Sequence, residues 1–315
     1  THFDDFRNAL SSPAPSISIL DDTGSSNYII AGHEPFSIHN KLDQKVFQIT
    51  DNLNFYKGDH TFTVGFSFEK FQFDNSFNLG VYGAQGVFFP TTTMEDFPNY
   101  VASGDLAASF AAAQAAHNSL EAAGEGNPGG WALAETNVGQ LSFYVQDEWN
   151  VSDDFKLTYG VRFDKPLFFD SAEKAQEVIN GGFVLPDFEY NNPNTGQRVT
   201  IDNTQMPTND WLISPRIGFN YDVNGDDTFQ LRGGSGLFTG RFPFVWLGNQ
   251  IANPDAFFLQ AVDPNYKFPQ VWRTNIGVDK KLESGLILTG DLYYTKDING
   301  PHVQHWGFLE PTGTL

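Results

Sequence analysis

Eight segments of this chain alternate apolar and polar residues, and the connections between them are of two unequal kinds. The segments run Lys45–Tyr56, Thr61–Phe73, Leu141–Asn150, Phe155–Asp164, Trp211–Asp222, Thr228–Phe238, Val271–Leu282 and Leu286–Thr295. Within each successive pair the join is tight: Lys57-Gly58-Asp59-His60, Val151-Ser152-Asp153-Asp154, Val223-Asn224-Gly225-Asp226-Asp227 and Glu283-Ser284-Gly285. Between pairs the chain passes through three long loops, 74–140, 165–210 and 239–270.

The alternation fixes the element type. From Phe155, one parity holds Phe155, Leu157, Tyr159, Val161 and Phe163, and the other Lys156, Thr158, Gly160, Arg162 and Asp164. From Trp211, the apolar parity is Trp211, Ile213, Ile217, Phe219 and Tyr221, opposite Ser214, Arg216, Gly218, Asn220 and Asp222. From Val271, Trp272, Thr274, Ile276 and Val278 oppose Arg273, Asn275, Gly277 and Asp279. Period two is a strand with one apolar face, whereas a helix would repeat every three or four residues. Short turns at one end and long loops at the other are how a transmembrane β-barrel is strung, with apolar faces in lipid and polar faces in a wet lumen. The expected fold is therefore all-β: an antiparallel transmembrane barrel, here about eight consecutive meander strands in hairpins 43–73, 141–164, 211–238 and 271–295. Residues 1–42 read as an incoming surface loop, and the three long loops as extracellular. One of them holds alanine-rich Asp105–Ala123, a short helix opened near Gly104 and stopped at Gly124.

Composition agrees. Thirty-one Phe, eleven Tyr and six Trp in 315 residues would supply aromatic girdles, and Trp149, Trp211, Tyr293 and Tyr294 fall near strand ends. A soluble β-sandwich with an aromatic core is the plainer alternative, but its connections are normally short. A net charge of −20 argues against nucleic acid and against an anionic inner-leaflet surface. No stretch approaches the ~18 apolar residues of a transmembrane helix. Zero cysteines exclude a disulfide framework, a thiolate zinc site and a cysteine nucleophile. The opening residues Thr1-His2-Phe3-Asp4 carry no signal peptide, and the chain closes in what reads as a loop. It is expected to be a window on a longer protein.

Chemical motifs are few. Arg162, Arg216, Arg232 and Arg273 sit on the polar parity with Asp164, Asp222 and Asp279. They form either a ladder of ion pairs in a wet lumen or contacts for a plug or a passing substrate. Asp222-Val-Asn224-Gly-Asp226 looks like the start of a calcium loop, but an EF-hand needs Gly and Glu where Asp227 and Gly233 stand, and Asn-Gly is a hairpin signal. Gly233-Gly234-Ser235-Gly236-Leu237 lacks the last glycine of a nucleophile elbow. His33-Glu34 has no second histidine at Ser37, and His302 and His305 have Glu310 as their single nearby carboxylate. No catalytic, metal or cofactor site is therefore expected. The most apolar loop segment, 241–249, offers Arg241, Phe244, Trp246 and Asn249 as ligand contacts, unless it simply packs on its neighbours.

The text of the strands carries a resemblance. Leu141-Ser-Phe-Tyr-Val-Gln-Asp-Glu-Trp149 followed by Leu157-Thr-Tyr-Gly-Val-Arg-Phe-Asp164 is similar to the strand pair of TonB-dependent receptors. Ser214-Pro-Arg-Ile-Gly-Phe-Asn-Tyr-Asp222, Leu231-Arg-Gly-Gly-Ser-Gly-Leu-Phe238 and Phe268-Pro-Gln-Val-Trp-Arg-Thr-Asn275 resemble its Oar-like branch. The resemblance runs from about residue 40 to 300. It implies energy-coupled uptake of a solute through a plugged barrel of about 22 strands in the bacterial outer membrane. Its implied partners are membrane lipid, the TonB complex through a plug and N-terminal region not present here, an unknown solute and a surface lipoprotein. The other function weighed is a complete small eight-stranded barrel with a structural or adhesive role; an outer-membrane enzyme lacks any catalytic cluster.

Overall fold

The computed structural model describes residues 17–31, 41–76, 91–127, 130, 133–182, 189–241, 243–252, 260–304 and 306. Its centre is one antiparallel sheet of eight strands: β3 (Lys41–Lys57), β4 (His60–Ser76), β6 (Ala134–Asn150), β7 (Phe155–Leu167), β10 (Leu212–Asp222), β11 (Phe229–Thr239), β12 (Gln270–Lys281) and β13 (Ile287–Asn299). Each strand pairs with its sequence neighbours in the sheet, so the order is a plain meander from β3 to β13. β3 and β13 are its two edges and do not pair with each other. A small sheet of β1 (Ile17–Leu20), β2 (Asn27–Ala31) and β5 (Thr91–Thr93) and a ribbon of β8 (Glu189–Asn191) and β9 (Arg198–Thr200) lie outside it. The first two of these fall within the expected incoming loop.

The tight turns form for local reasons. Lys57 pairs with His60 across a two-residue turn in which Gly58 adopts φ +57°, the geometry that matches strand twist. The turn after β10 is held by its own acids: Asp222 accepts the Asp227 N–H at 2.7 Å, and Asp226 accepts the Thr228 N–H at 3.0 Å. The hydrogen bonds from Thr228 hold the Asp226 carboxyl below its usual range. Those carboxylates serve the turn, and among the described residues no three His, Asp or Glu side chains are grouped for a metal. Of the two terminal-loop histidines, His305 lies outside the described residues, as do His33 and Glu34.

Register confirms the two faces. Ile217 pairs with Tyr159 and Ser235, and Arg216 with Gly160 and Gly236, so each cross-strand row belongs to a single parity. The apolar face is bare: Ile217 is 53% exposed, Ile276 52% and Leu292 70%. The polar face is the covered one, with Asp164, Ser142 and Ser214 all buried. Soluble proteins sort these residue types the other way. Inside the apolar band the outward parity is interrupted by Asp51 on edge strand β3 and Asp147 on β6, while Asp43, Asp74 and Glu135 share that parity farther along the strands. Asp147 is buried, and its Oδ2 accepts from the Tyr159 hydroxyl at 2.7 Å and meets His60 Nδ1 at 2.7 Å. The His60 ring is itself stacked on Phe62 and Trp149.

Three strands have 17 residues, a length of about 55 Å, whereas crossing a bilayer takes about 9–11 tilted residues. The outward residues of β4 mark where the apolar band ends: Phe62, Val64, Phe66 and Phe68 give way to Lys70, Gln72 and Asp74. Beyond that limit the strands carry a conventional core. Val138, Phe168, Leu212, Leu247 and Phe268 form one buried cluster, and Ala134, Ala175, Val178 and Ile251 a second. Two helices dock there, α3 (Ser171–Asn180) and α4 (Val245–Ala252), while α1 (Phe97–Ala102) and α2 (Asp105–Ala123) lie in the preceding loop. Helix α2 has the bounds its alanine-rich sequence predicts, flanked by Gly104 at φ +86° and Gly124 at φ +80°. The segment 241–249, expected as loop, instead enters helix α4. Its Leu247 and Ile251 fill the clusters, and the buried Gln250 amide donates to the Asn203 and Gln205 carbonyls, both at 3.0 Å.

Candidate functional site

The polar face gathers charge around Asp164. Its parity on successive strands supplies Ser67 and Glu69 from β4, Gln140 and Ser142 from β6, Arg162 and Asp164 from β7, and Arg216 from β10. Asp164 is its buried centre. Gln140 Nε2 and Ser142 Oγ each donate to Asp164 Oδ1 at 2.7 Å, and Arg162 Nε donates to the same oxygen at 2.9 Å. Oδ2 is buried without a hydrogen-bond partner among the described residues. The Arg162 guanidinium lies over the Tyr144 ring, 5.3 Å from its centroid. Arg216 lies over the Phe238 ring at 4.5 Å and has no ion pair among the described residues.

Arg241 enters from the far side. It follows β11, yet its guanidinium pairs with Glu69 of β4 and stacks 5.4 Å from the Phe71 centroid. In a flat sheet those strands would be about 19 Å apart, four spacings of ~4.8 Å. The pairing therefore needs the sheet to curl with its polar face inward. These groups line an open cleft of about 360 Å³. A second, shallow and still more open apolar recess of about 380 Å³ adjoins it at Arg241, lined by Gln44, Phe71, Phe73, Pro243, Phe244 and Val245. The Phe244 ring sits 5.5 Å from Phe71 and 6.3 Å from Phe73.

The residues singled out from sequence thus divide. Arg162, Asp164, Arg216 and Arg241 share the cleft, and Phe244 forms part of the apolar wall. Arg232 stands apart, saturated by Asp279 at 2.9 Å and by Asp291 through two bonds at 2.7 and 3.1 Å. Its guanidinium covers Gly277, where a Cβ would meet Arg232 Nη1 at 2.7 Å. Arg273 is exposed in the same row as Arg216, two strands away across Gly236. Neither Trp246 nor Asn249 lines either recess; Trp246 packs on the buried cluster, as Phe71, Phe73 and Phe244 also do with part of their surface, and the Asn249 amide donates to Gln260 at 2.6 Å. Phe242 lies outside the described residues. Sequence reasoning passed over Glu69, Gln140 and Ser142, although their parity already placed them on the polar face.

The curled meander with its apolar side outward is an outer-membrane β-barrel architecture, and comparison with known proteins agrees. Residues 4–256 match the family model of the outer membrane beta barrel domain, and the chain belongs to that family. Its place is the bacterial outer membrane. No curated protein matches the sequence. Among solved structures, the alcaligin outer-membrane receptor FauA from Bordetella pertussis is 10% identical over 82% of this chain and 30% of its own, with a TM-score of 0.38. The FrpB iron transporter from Neisseria meningitidis is 10% identical over 82% and 29%, at 0.45. The outer membrane transporter YddB from Escherichia coli is 12% identical over 82% and 26%, at 0.42. The chain spans about 30% of the length of such structures.

Proposed function

We propose that this chain is part of the barrel of an outer-membrane receptor of the TonB-dependent, Oar-like kind, which takes up a solute by energy-coupled transport. One observation carries the reading: the sheet presents its aliphatic side chains outward and its cleft charges inward, and, among the described residues, ends in two unpaired edges. Backbone groups along β3 and β13 would each cost several kcal/mol if left unpaired in hydrocarbon. Strands beyond this chain satisfy them in the assembled barrel. A closed eight-stranded barrel would seat β3 against β13, whereas the meander holds them at opposite edges. The tight turns face the periplasm, and the loops bearing α1 to α4 face outward. Arg162, Asp164, Arg216 and Arg273 line the path of the plug or the solute, and Arg241 and Phe244 meet the solute at its mouth.

In cells expressing the full-length protein, in-vivo cross-linking should trap it with TonB in the outer-membrane fraction. Protease added to intact cells should cut near Asn191–Gly196 and spare Asn224-Gly225. An outer-membrane protein that never cross-links to TonB, or is cut at Asn224-Gly225 alone, would overturn the reading.

A further inference from the structure

We infer that the two adjoining clefts are one bipartite site for an organic acid, its apolar body against Phe71, Phe73 and Phe244 and its acidic group on Arg216. This names the solute class of the receptor proposed above and rests on that reading. The charge balance points to the acid. Arg162, Arg216 and Arg241 bring three positive charges to the polar cleft, against two carboxylates, in a chain of net charge −20. Both carboxylates are already engaged. Glu69 is paired with Arg241, and Asp164 Oδ1 receives Gln140, Ser142 and Arg162. Arg216 faces the cleft with no ion pair among the described residues, braced on Phe238. A braced guanidinium offers a planar fork of donors that fits a carboxylate or phosphate in two-point contact.

The apolar half follows from β4. Ser67, Glu69, Phe71 and Phe73 share one face at a spacing of about 7 Å per step, so the wall turns from polar to aromatic within one step. Arg241 lines both halves, pairing with Glu69 on one side and stacking on Phe71 on the other. Each half, at about 360 and 380 Å³, lies within the size range of small-molecule sites. A small inorganic anion would leave the aromatic wall unused, and a neutral apolar solute would leave Arg216 unpaired.

The test is equilibrium binding to the full-length protein purified in detergent, with 2-naphthoate, acetate and 2-naphthalenemethanol as probes. 2-Naphthoate should bind roughly tenfold or more tighter than either other probe. Arg216→Gln should weaken 2-naphthoate by roughly tenfold while leaving 2-naphthalenemethanol unchanged. Phe71→Ala should weaken both naphthyl probes and spare acetate. Arg216→Lys, which keeps the charge and removes the fork, should fall between wild type and Arg216→Gln, and it carries the test if the glutamine variant does not fold. 2-Naphthoate binding no tighter than the alcohol, or unchanged in a folded Arg216 variant, would overturn the inference. A protein that cross-links to TonB yet ignores 2-naphthoate would do so without touching the receptor reading.

Discussion

Ile276 offers a substitution whose cost depends on what surrounds the sheet. It lies mid-strand on β12, paired with Gly233 and Leu292, and is 52% exposed. Since half of the side chain touches nothing in the protein, Ile276→Arg on a water-facing surface should stay within about 0.5 kcal/mol of wild type. In hydrocarbon near the midplane the same arginine costs about 2–4 kcal/mol, a factor of roughly 30 to 900 in the folding equilibrium. Asn275→Arg is the matched control one residue away. Its side chain is on the polar face beside Gly234, which leaves room for a longer group in a wet lumen. The assay is reversible guanidinium unfolding of the full-length protein in lipid vesicles, followed by tryptophan fluorescence. Ile276→Arg should be destabilised by about 2–4 kcal/mol and Asn275→Arg by less than about 1 kcal/mol. Equal effects in the two variants, or a silent Ile276→Arg, would refute the assignment of the apolar face to lipid.

Two further outcomes follow from packing. A Cβ at Gly139 would lie 2.1 Å from the Glu69 carbonyl oxygen, a backbone atom that cannot swing aside. Gly139→Ala should therefore cost about 1–3 kcal/mol or more in the same unfolding assay, and wild-type stability would contradict the close β4–β6 contact. On the outward face, His60→Leu removes one of two partners from buried Asp147 and should cost about 1–3 kcal/mol, whereas His60→Leu combined with Asp147→Val should recover most of it. A double variant worse than the single would show that the carboxylate is stabilising in itself.

Much of this architecture was legible because strand parity is a strict code. Placing Trp272, Thr274, Ile276 and Val278 on one face required nothing beyond counting, and the register of β12 against β11 and β13 preserves that assignment. Helix α2 was legible because alanine propensity and flanking glycines act locally. Helix α4 was not: Gly248 sits in its middle, and its Leu247 and Ile251 are buried by groups distant in sequence. The short strands β1, β2 and β5 depend on mutual pairing, with β1 and β5 more than seventy residues apart. The cleft was half legible. Parity put Arg162, Asp164 and Arg216 on one wall, but the pairing of Arg241 with Glu69 spans 172 residues and arises from the curl of the sheet. Parity also could not distinguish Arg216, with no direct ion pair among the described residues, from Arg232, which has two.

The most direct measurement is a nitroxide scan of β12 in the full-length protein reconstituted in bilayers, one label at a time from Trp272 to Asp279. Accessibility to lipid-dissolved oxygen should peak at 272, 274, 276 and 278, and accessibility to a water-soluble nickel chelate at 273, 275 and 279, with Gly277 left unlabelled because Arg232 covers it. Oxygen accessibility without that two-residue alternation, or alternating in the opposite phase, would contradict a membrane-spanning sheet with its charged cleft turned inward.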